Sequence, residues 1–430
     1  MNFNLREKSL ALVTYSAITR EGNDILVNRA FGLLIDDLAK AFSRIYYIGA
    51  EENKSSGLYR EGKSIYKYCI KSENVSVIPI HPTGHIANPV KRIRRMMTNQ
   101  GIILRILNDA DYVYIFLPGY TGLVSAFDCL LRRKPYFLYF GSDWQETAGF
   151  RVPSEVKKDD VAFLCAREFY VFVEKIIVRK AMFCLSAGRN LTAIQGALNI
   201  RSFETVPMVQ FRSSENLHEG TAVASIGEKD SRVFKMYNDH TVHILSVGNV
   251  KESKGTIYLL NALPHLLSNG IDVRVTLVGA IDETYRAYLL EEMAKSDTMG
   301  RVSFTGYVND VEQLQQYYNE AEVFVLPTLG EGFPRVLYEA MMSGLPVVAS
   351  DIDSIRENVQ GSEAISLVKP KDPKAIAAAV MQLMQNQTLR KRRVDAGYRF
   401  AVSKFHTNPA EQVICLLEEY ATDGVGVNRP

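Results

Sequence analysis

Between residues 242 and 385 short apolar runs alternate with amphipathic segments, and this beat narrows the fold more than any other feature of the chain. Val242–Val247, Val273–Val278, Val302–Phe304, Val323–Leu326, Pro346–Ala349 and Ala364–Val368 read as strands. Helical spacing predicts helices near Thr256–Leu267, Glu283–Lys295, Val311–Asn319, Pro334–Met342 and Pro373–Met384. Strands joined through single helices make crossover units. The expected product is a parallel sheet covered on both faces, the doubly wound α/β class.

Residues 1–210 keep the same alternation less regularly. Strands are expected at Leu10–Thr14, Ile45–Ile48, Val75–Ile78, Tyr112–Phe116, Tyr136–Phe140 and Met182–Leu185, and helices near Asp24–Phe42, Lys91–Leu107, Gly122–Leu131, Val156–Lys180 and Ala187–Gly196. A chain of 430 residues exceeds one ordinary core. Two Rossmann-like domains are therefore expected, 1–211 and 240–400, joined by the polar, aperiodic stretch 212–239. A helix within 401–430 is expected to cross back toward the first domain. Two such sheets leave a cleft at the carboxyl ends of their strands, where a ligand is expected.

The five cysteines are scattered, with no CxxC pair, which argues for a reducing compartment and against structural zinc. Arg6, Glu7 and Lys8 precede a short apolar run unlike a signal peptide, and Tyr112–Phe127 is too short to span a membrane. A cytoplasmic protein is expected. Residues 1–210 hold 28 Lys and Arg against 20 Asp and Glu, a balance of +8, while residues 211–430 hold 22 against 28, a balance of −6. The first half is thus suited to face something anionic. Lys91, Arg92, Arg94 and Arg95 open a helix among Ile93, Met96 and Met97, as either a solvated face or a patch on the inner, anionic face of a membrane. Basic residues interleaved with aromatics are not evident, so nucleic acid is not expected as a partner.

One stretch carries chemistry. In "EGFPRVLYEAMMSGLPVVASD", residues 331–351, Pro334 suits a first helical position, Ser343-Gly344 a helix end, and Leu345–Ala349 a buried strand. Glu331 then stands at a helix mouth and Glu339 on the less apolar face of that helix. With "HILSVGNVKESKGTIYLLNAL" and "VSFTGYVNDVEQLQQYYNEAEVFVLPT" upstream, in that order, the region strongly resembles the donor-binding domain of glycosyltransferase family 4, retaining enzymes of the GT-B fold.

The resemblance implies a nucleoside-diphosphate sugar as donor, with UDP the commonest. Lys254 would take phosphate, Glu331 the sugar and Glu339 the ribose hydroxyls. Gly306, Tyr307 and Val308 would hold the base through backbone groups, and Gly332 and Phe333, before Pro334, would offer N–H groups. Asn249 follows Gly248 where the family usually has arginine, and Lys251 could substitute for it. On the acceptor side the resemblance points to Gly22 after the first strand and to Gly141, Ser142 and Asp143, with Phe140 where relatives carry histidine. His81 and His85, in a loop beside prolines, read first as structural or solvent-facing residues and only second as an acid–base pair. No metal or other cofactor is implied, and Asp351 reads as a helix cap rather than a ligand.

The expected function is transfer of a hexose to a sugar or lipid-linked glycan during polysaccharide assembly. A non-catalytic GT-B subunit and a sugar-nucleotide epimerase are the alternatives.

Overall fold

The computed structural model describes residues 4–22, 24–52, 59–60, 63–64, 68–82, 89–117, 119–141, 172, 175–188, 201–209, 241–405 and 407–422. The chain forms two units, one of residues 1–208 with 407–430, the other of residues 209–406. The stretch 212–239, most of 156–180 and 189–196, and His85, Ser142 and Asp143 lie outside the described residues.

The second unit is built on six parallel strands in the order Val302–Gly306, Val273–Val278, Val242–Val247, Val323–Leu326, Val347–Ser350, Ile365–Val368. The first strand in sequence thus lies inside the sheet, and the winding reverses between Val242–Val247 and Val323–Leu326. At such a switch point the loops leave in opposite directions and open a crevice. Burial drives the assembly: Val273, Val275 and Leu277 are at most 1% exposed, each burial contributing about 1.5–3 kcal/mol. Helices Glu283–Lys295, Val311–Glu320, Pro373–Gln385 and Gln387–Val402 begin at Asp282, Asp310, Asp372 and Asn386, whose side chains accept otherwise orphaned N–H groups.

Three expectations are corrected here. The single helix at Thr256–Leu267 is two, Thr256–Leu260 and Leu263–Ser268, because Pro264 cannot donate to the turn before it. Pro334 is the cap of helix Arg335–Met342 and not its first residue. Asp351 does not cap helix Asp353–Val359; Ile352 holds that position, and the Asp351 carboxylate accepts from Arg356 Nε at 2.6 Å. The end of helix Arg335–Met342 follows its sequence signal. Gly344 takes φ +71°, and the N–H groups of Gly344 and Leu345 reach back to Met341 and Ala340.

The first unit is a nine-stranded sheet whose parallel part runs Ser202–Glu204, Cys184–Ser186, Tyr136–Phe140, Tyr112–Leu117, Ser9–Glu21, Arg44–Glu51, Val75–Ile80. Its first strand departs from expectation. It runs 13 residues to Glu21, past a bulge between Val13 and Ala17, and folds back onto Asp24–Val27. The expected helix Asp24–Phe42 is therefore confined to Arg29–Ala39, and Gly22, at φ +62°, makes a hairpin turn. Helix Pro409–Thr422 belongs to this unit: Ala410, Val413 and Leu417 share a core with Phe31, Leu34 and Leu38. Gln412 fixes its register, accepting from Val206 N at 2.9 Å and donating to Glu204 O at 2.8 Å.

Candidate functional site

The candidate site grows from the carboxyl ends of the second unit's strands. Three glycines finish neighbouring strands there: Gly248, Gly279 and Gly306, all at positive φ. The Gly248 N–H donates to Val278 O and the Gly279 N–H to Gly306 O, each at 2.8 Å. A side chain at Gly279 would meet Gly248 O at 2.1 Å. Backbone packs directly on backbone, which brings the loops after these strands together. Gly279 was not singled out in the sequence; a glycine directly after a buried strand was the available signal.

Beyond Gly248 the chain is pinned by Val250 N to Ala280 O at 2.7 Å and makes a short turn, Glu252–Lys254. Gly255 follows at φ +64°, where a methyl group would strike Pro327 O at 2.0 Å. This tight approach lets the 327–329 loop dock: Leu329 N donates to Ser253 O at 3.0 Å, and Thr328 Oγ1 to the same carbonyl at 3.3 Å. A small depression opens beside it, lined by Ser246, Gly248, Asn249, Lys254 and Thr256 among others. Asn249 is exposed at its rim.

The two loops meet chemically as well. The Lys254 ammonium pairs with Glu331 Oε1, both side chains about one-fifth exposed. Burial first, and then the Lys251 charge, bring the Lys254 ammonium down to about 8. Lys251 is exposed, close enough to add positive charge to the pocket.

Helix Arg335–Met342 starts just past Glu331. Among the described residues no backbone acceptor meets the N–H of Gly332 or Phe333, and both residues are buried at the helix mouth. The Phe333 ring packs on Tyr338 and Phe400 and anchors the mouth. Glu339 is not on an exposed face. It is 2% exposed, and the Tyr318 hydroxyl donates to its Oε2 at 3.0 Å. Tyr307 faces the same helix, its phenol raised by burial and by the Glu339 charge against the opposing effect of Arg335. The structure thus gathers Gly248, Asn249, Lys251, Lys254, Gly306, Tyr307, Val308, Glu331, Gly332, Phe333, Pro334 and Glu339 at one end of one sheet.

In the first unit Gly22 turns a hairpin, and Gly141 ends strand Tyr136–Phe140, its N–H donating to Leu117 O at 3.0 Å. Phe140 is a core residue, 1% exposed. His81 is held through its backbone by Asn99, with N–H and carbonyl both bonded at 2.8 Å. Among the described residues no cluster of three or more His, Cys, Asp or Glu is placed to hold a metal, and no helix is long and apolar enough to cross a membrane.

A cationic, partly desolvated lysine predicts a pH signature. An anion on Lys254 favours its charged form, so binding should take up a proton above about pH 8. Affinity for UDP is expected to be flat from pH 7 to 8 and to fall about tenfold per unit beyond, measured by calorimetry to pH 9.5. An affinity independent of pH to 9.5 would remove Lys254 from the anion site. Folding carries the opposite sign. The unfolded chain, with lysine near its ordinary value, binds the extra proton between about 8 and 10.4, so this group makes stability rise with pH across that window.

Comparison with known proteins bears on this geometry. Residues 241–386 match the family Glycosyl transferases group 1. A phosphatidyl-myo-inositol mannosyltransferase of Mycobacterium leprae is 36% identical over 187 residues, 42% of this chain and 47% of that relative. The chain thus spans about half the length of the first curated relatives it matches. The capsular polysaccharide biosynthesis glycosyltransferase CapM of Staphylococcus aureus is 23% identical over 80% of this chain and 84% of its own. Among solved structures, Anabaena Alr3699/HepE in complex with UDP and glucose aligns with TM-score 0.62 at 16% identity, over 97% of this chain and 99% of that one. Sucrose-phosphate synthase of Thermosynechococcus elongatus aligns at 0.66 with 16% identity, over 97% and 100%. These likenesses show the fold, that of the GT-B glycosyltransferases.

Proposed function

We propose that this chain, whose residues 241–386 match the group 1 glycosyl transferases, moves a hexose from a nucleoside-diphosphate sugar to a sugar or lipid-linked glycan in the assembly of a surface polysaccharide or glycolipid. The observation that carries the reading is the Lys254–Glu331 contact at the switch point, beside a helix mouth where, among the described residues, the N–H groups of Gly332 and Phe333 have no backbone acceptor. A glycosyl bond breaks with negative charge growing on the leaving diphosphate. A buried ammonium and a helix N-terminus stabilise that charge where it develops. We read the reaction as retaining and metal-independent, with Lys254 and Lys251 supplying the charge, and Asn249 donating where relatives use arginine. Glu331 would take sugar hydroxyls. Glu339, held by Tyr318, would take the ribose, with the base beside Gly306, Tyr307 and Val308. UDP is the nucleotide we favour, because Alr3699/HepE binds it on the same fold.

The acceptor would approach the first unit, near Gly141. Lys91 and Arg94 are exposed on helix Pro89–Asp109, with Val90 and Met97 more than 70% exposed beside them. Basic heads flanked by apolar side chains suit an anionic bilayer surface, at about 1 kcal/mol per basic residue. We therefore place the protein in the cytoplasm, peripheral on the membrane that would carry a lipid-linked acceptor.

A thermal-shift screen against UDP, GDP, ADP and their sugars tests the donor reading. Ligand at 100 times its Kd should stabilise by about 2.7 kcal/mol, and Glu339→Gln, which keeps an acceptor for Tyr318, should reduce the shift. No shift with any nucleotide would favour the non-catalytic subunit instead.

A further inference from the structure

Lys254 and Glu331 approach from the two loops that flank the switch point, and their contact has a feature the donor reading does not need. Glu331 Oε1 is out of solvent, and among the described residues only the Lys254 ammonium meets it. The contact is held by backbone: Leu329 N and Thr328 Oγ1 both bond Ser253 O, next to Lys254. We propose that this pair is a resting latch that selects the intact sugar donor over anions lacking a sugar, including the nucleoside diphosphate the reaction leaves behind. The inference rests on the donor reading above.

The argument is one of partner exchange. A phosphate that claims Lys254 leaves Glu331 Oε1 charged, out of solvent and unpaired, close to the incoming anion. Leaving such a charge without a partner is costly, and like charges add repulsion. A ligand carrying hydroxyls beside its diphosphate gives Glu331 new donors, so both members of the pair remain satisfied. Inorganic pyrophosphate and sugar-free nucleotide have no donor at that position. They bind against the latch, whereas the intact donor binds by replacing both of its contacts. The spent nucleotide is therefore expelled by re-formation of the Lys254–Glu331 pair, with no loop motion required.

Calorimetry on the full chain tests this with pyrophosphate, UDP and UDP-glucose, or with the GDP or ADP pair if that is what the wild type binds. Glu331→Gln should tighten pyrophosphate and UDP about tenfold while leaving UDP-glucose unchanged or weaker, so that the preference for the sugar form collapses. Glu331→Ser, neutral and smaller, gives the same comparison if the glutamine variant does not fold. A preference that survives in the neutral variants, or a parallel weakening of all three ligands, would overturn the latch while leaving the donor site standing. A wild type that binds none of the nucleotide pairs would overturn the donor reading and the latch together.

Discussion

Lys254→Ala should lower kcat/KM with the nucleotide-sugar donor by about 10²–10³-fold, most of it in kcat. In the proposed reaction the lysine would meet the diphosphate in both ground and transition state, but its charge would matter most as the glycosyl bond breaks. The same substitution removes the only described partner of Glu331 Oε1, so the unliganded protein should lose about 2 kcal/mol as well. That second effect supplies an internal control. In Lys254→Ala/Glu331→Gln the unpaired charge is gone, so stability should return toward wild type while catalysis stays low. Denaturation and steady-state kinetics on the four proteins of this cycle check both arms. Activity recovered together with stability would mean that Lys254 acts on the fold alone.

Much of the second unit was legible because its signals are local. Strand ends at Val242–Val247, Val273–Val278 and Val323–Leu326 coincide with β-branched runs, and three of the expected helices begin at Asp caps. Helices Asp353–Val359 and Gln387–Val402 escaped notice for opposite reasons. The first is too short to establish a period, and the second is so rich in charge that its apolar positions, Val394 and Ala401, barely form a stripe. In the first unit a helix was expected from Asp24, where the chain instead forms strand Asp24–Val27. Gly-Asn flanked by β-branched runs is a hairpin signal, and Asp24-Ile25-Leu26-Val27 is better suited to a strand than to a helix start.

The site divides along a similar line. Residue types and order pointed to Lys254, Glu331 and Glu339, but their partners are tertiary. Tyr318 lies 21 residues before Glu339, and the approach of Glu331 to Lys254 depends on the docking of two loops separated by more than 70 residues. Nothing in local spacing reports such contacts. Phe140 shows the converse: its place in the motif suggested the acceptor side, whereas burial assigns it to the core.

Gly279 is where backbone geometry and site chemistry meet, and Gly279→Ala is expected to damage both the fold and the site of the second unit. Two penalties combine. At φ +148° an L-residue is strained by about 1–3 kcal/mol, and the new Cβ would lie 2.1 Å from Gly248 O. That carbonyl cannot move freely, because the Gly248 N–H is bonded to Val278 O and Val250 N to Ala280 O. Relief therefore requires displacing Asn249 and the turn that carries Lys254. The expected result is a loss of about 3 kcal/mol or more, seen as a Tm lower by about 10 °C, with weakened UDP binding. Gly270→Ala separates the two penalties. Gly270 also has positive φ, +79°, but nothing lies within 4 Å of its Cβ, so about 1 kcal/mol of strain and unchanged UDP affinity are expected. Equal losses in the two variants, with UDP binding intact in both, would show that the glycine contact between strand ends does not shape the pocket.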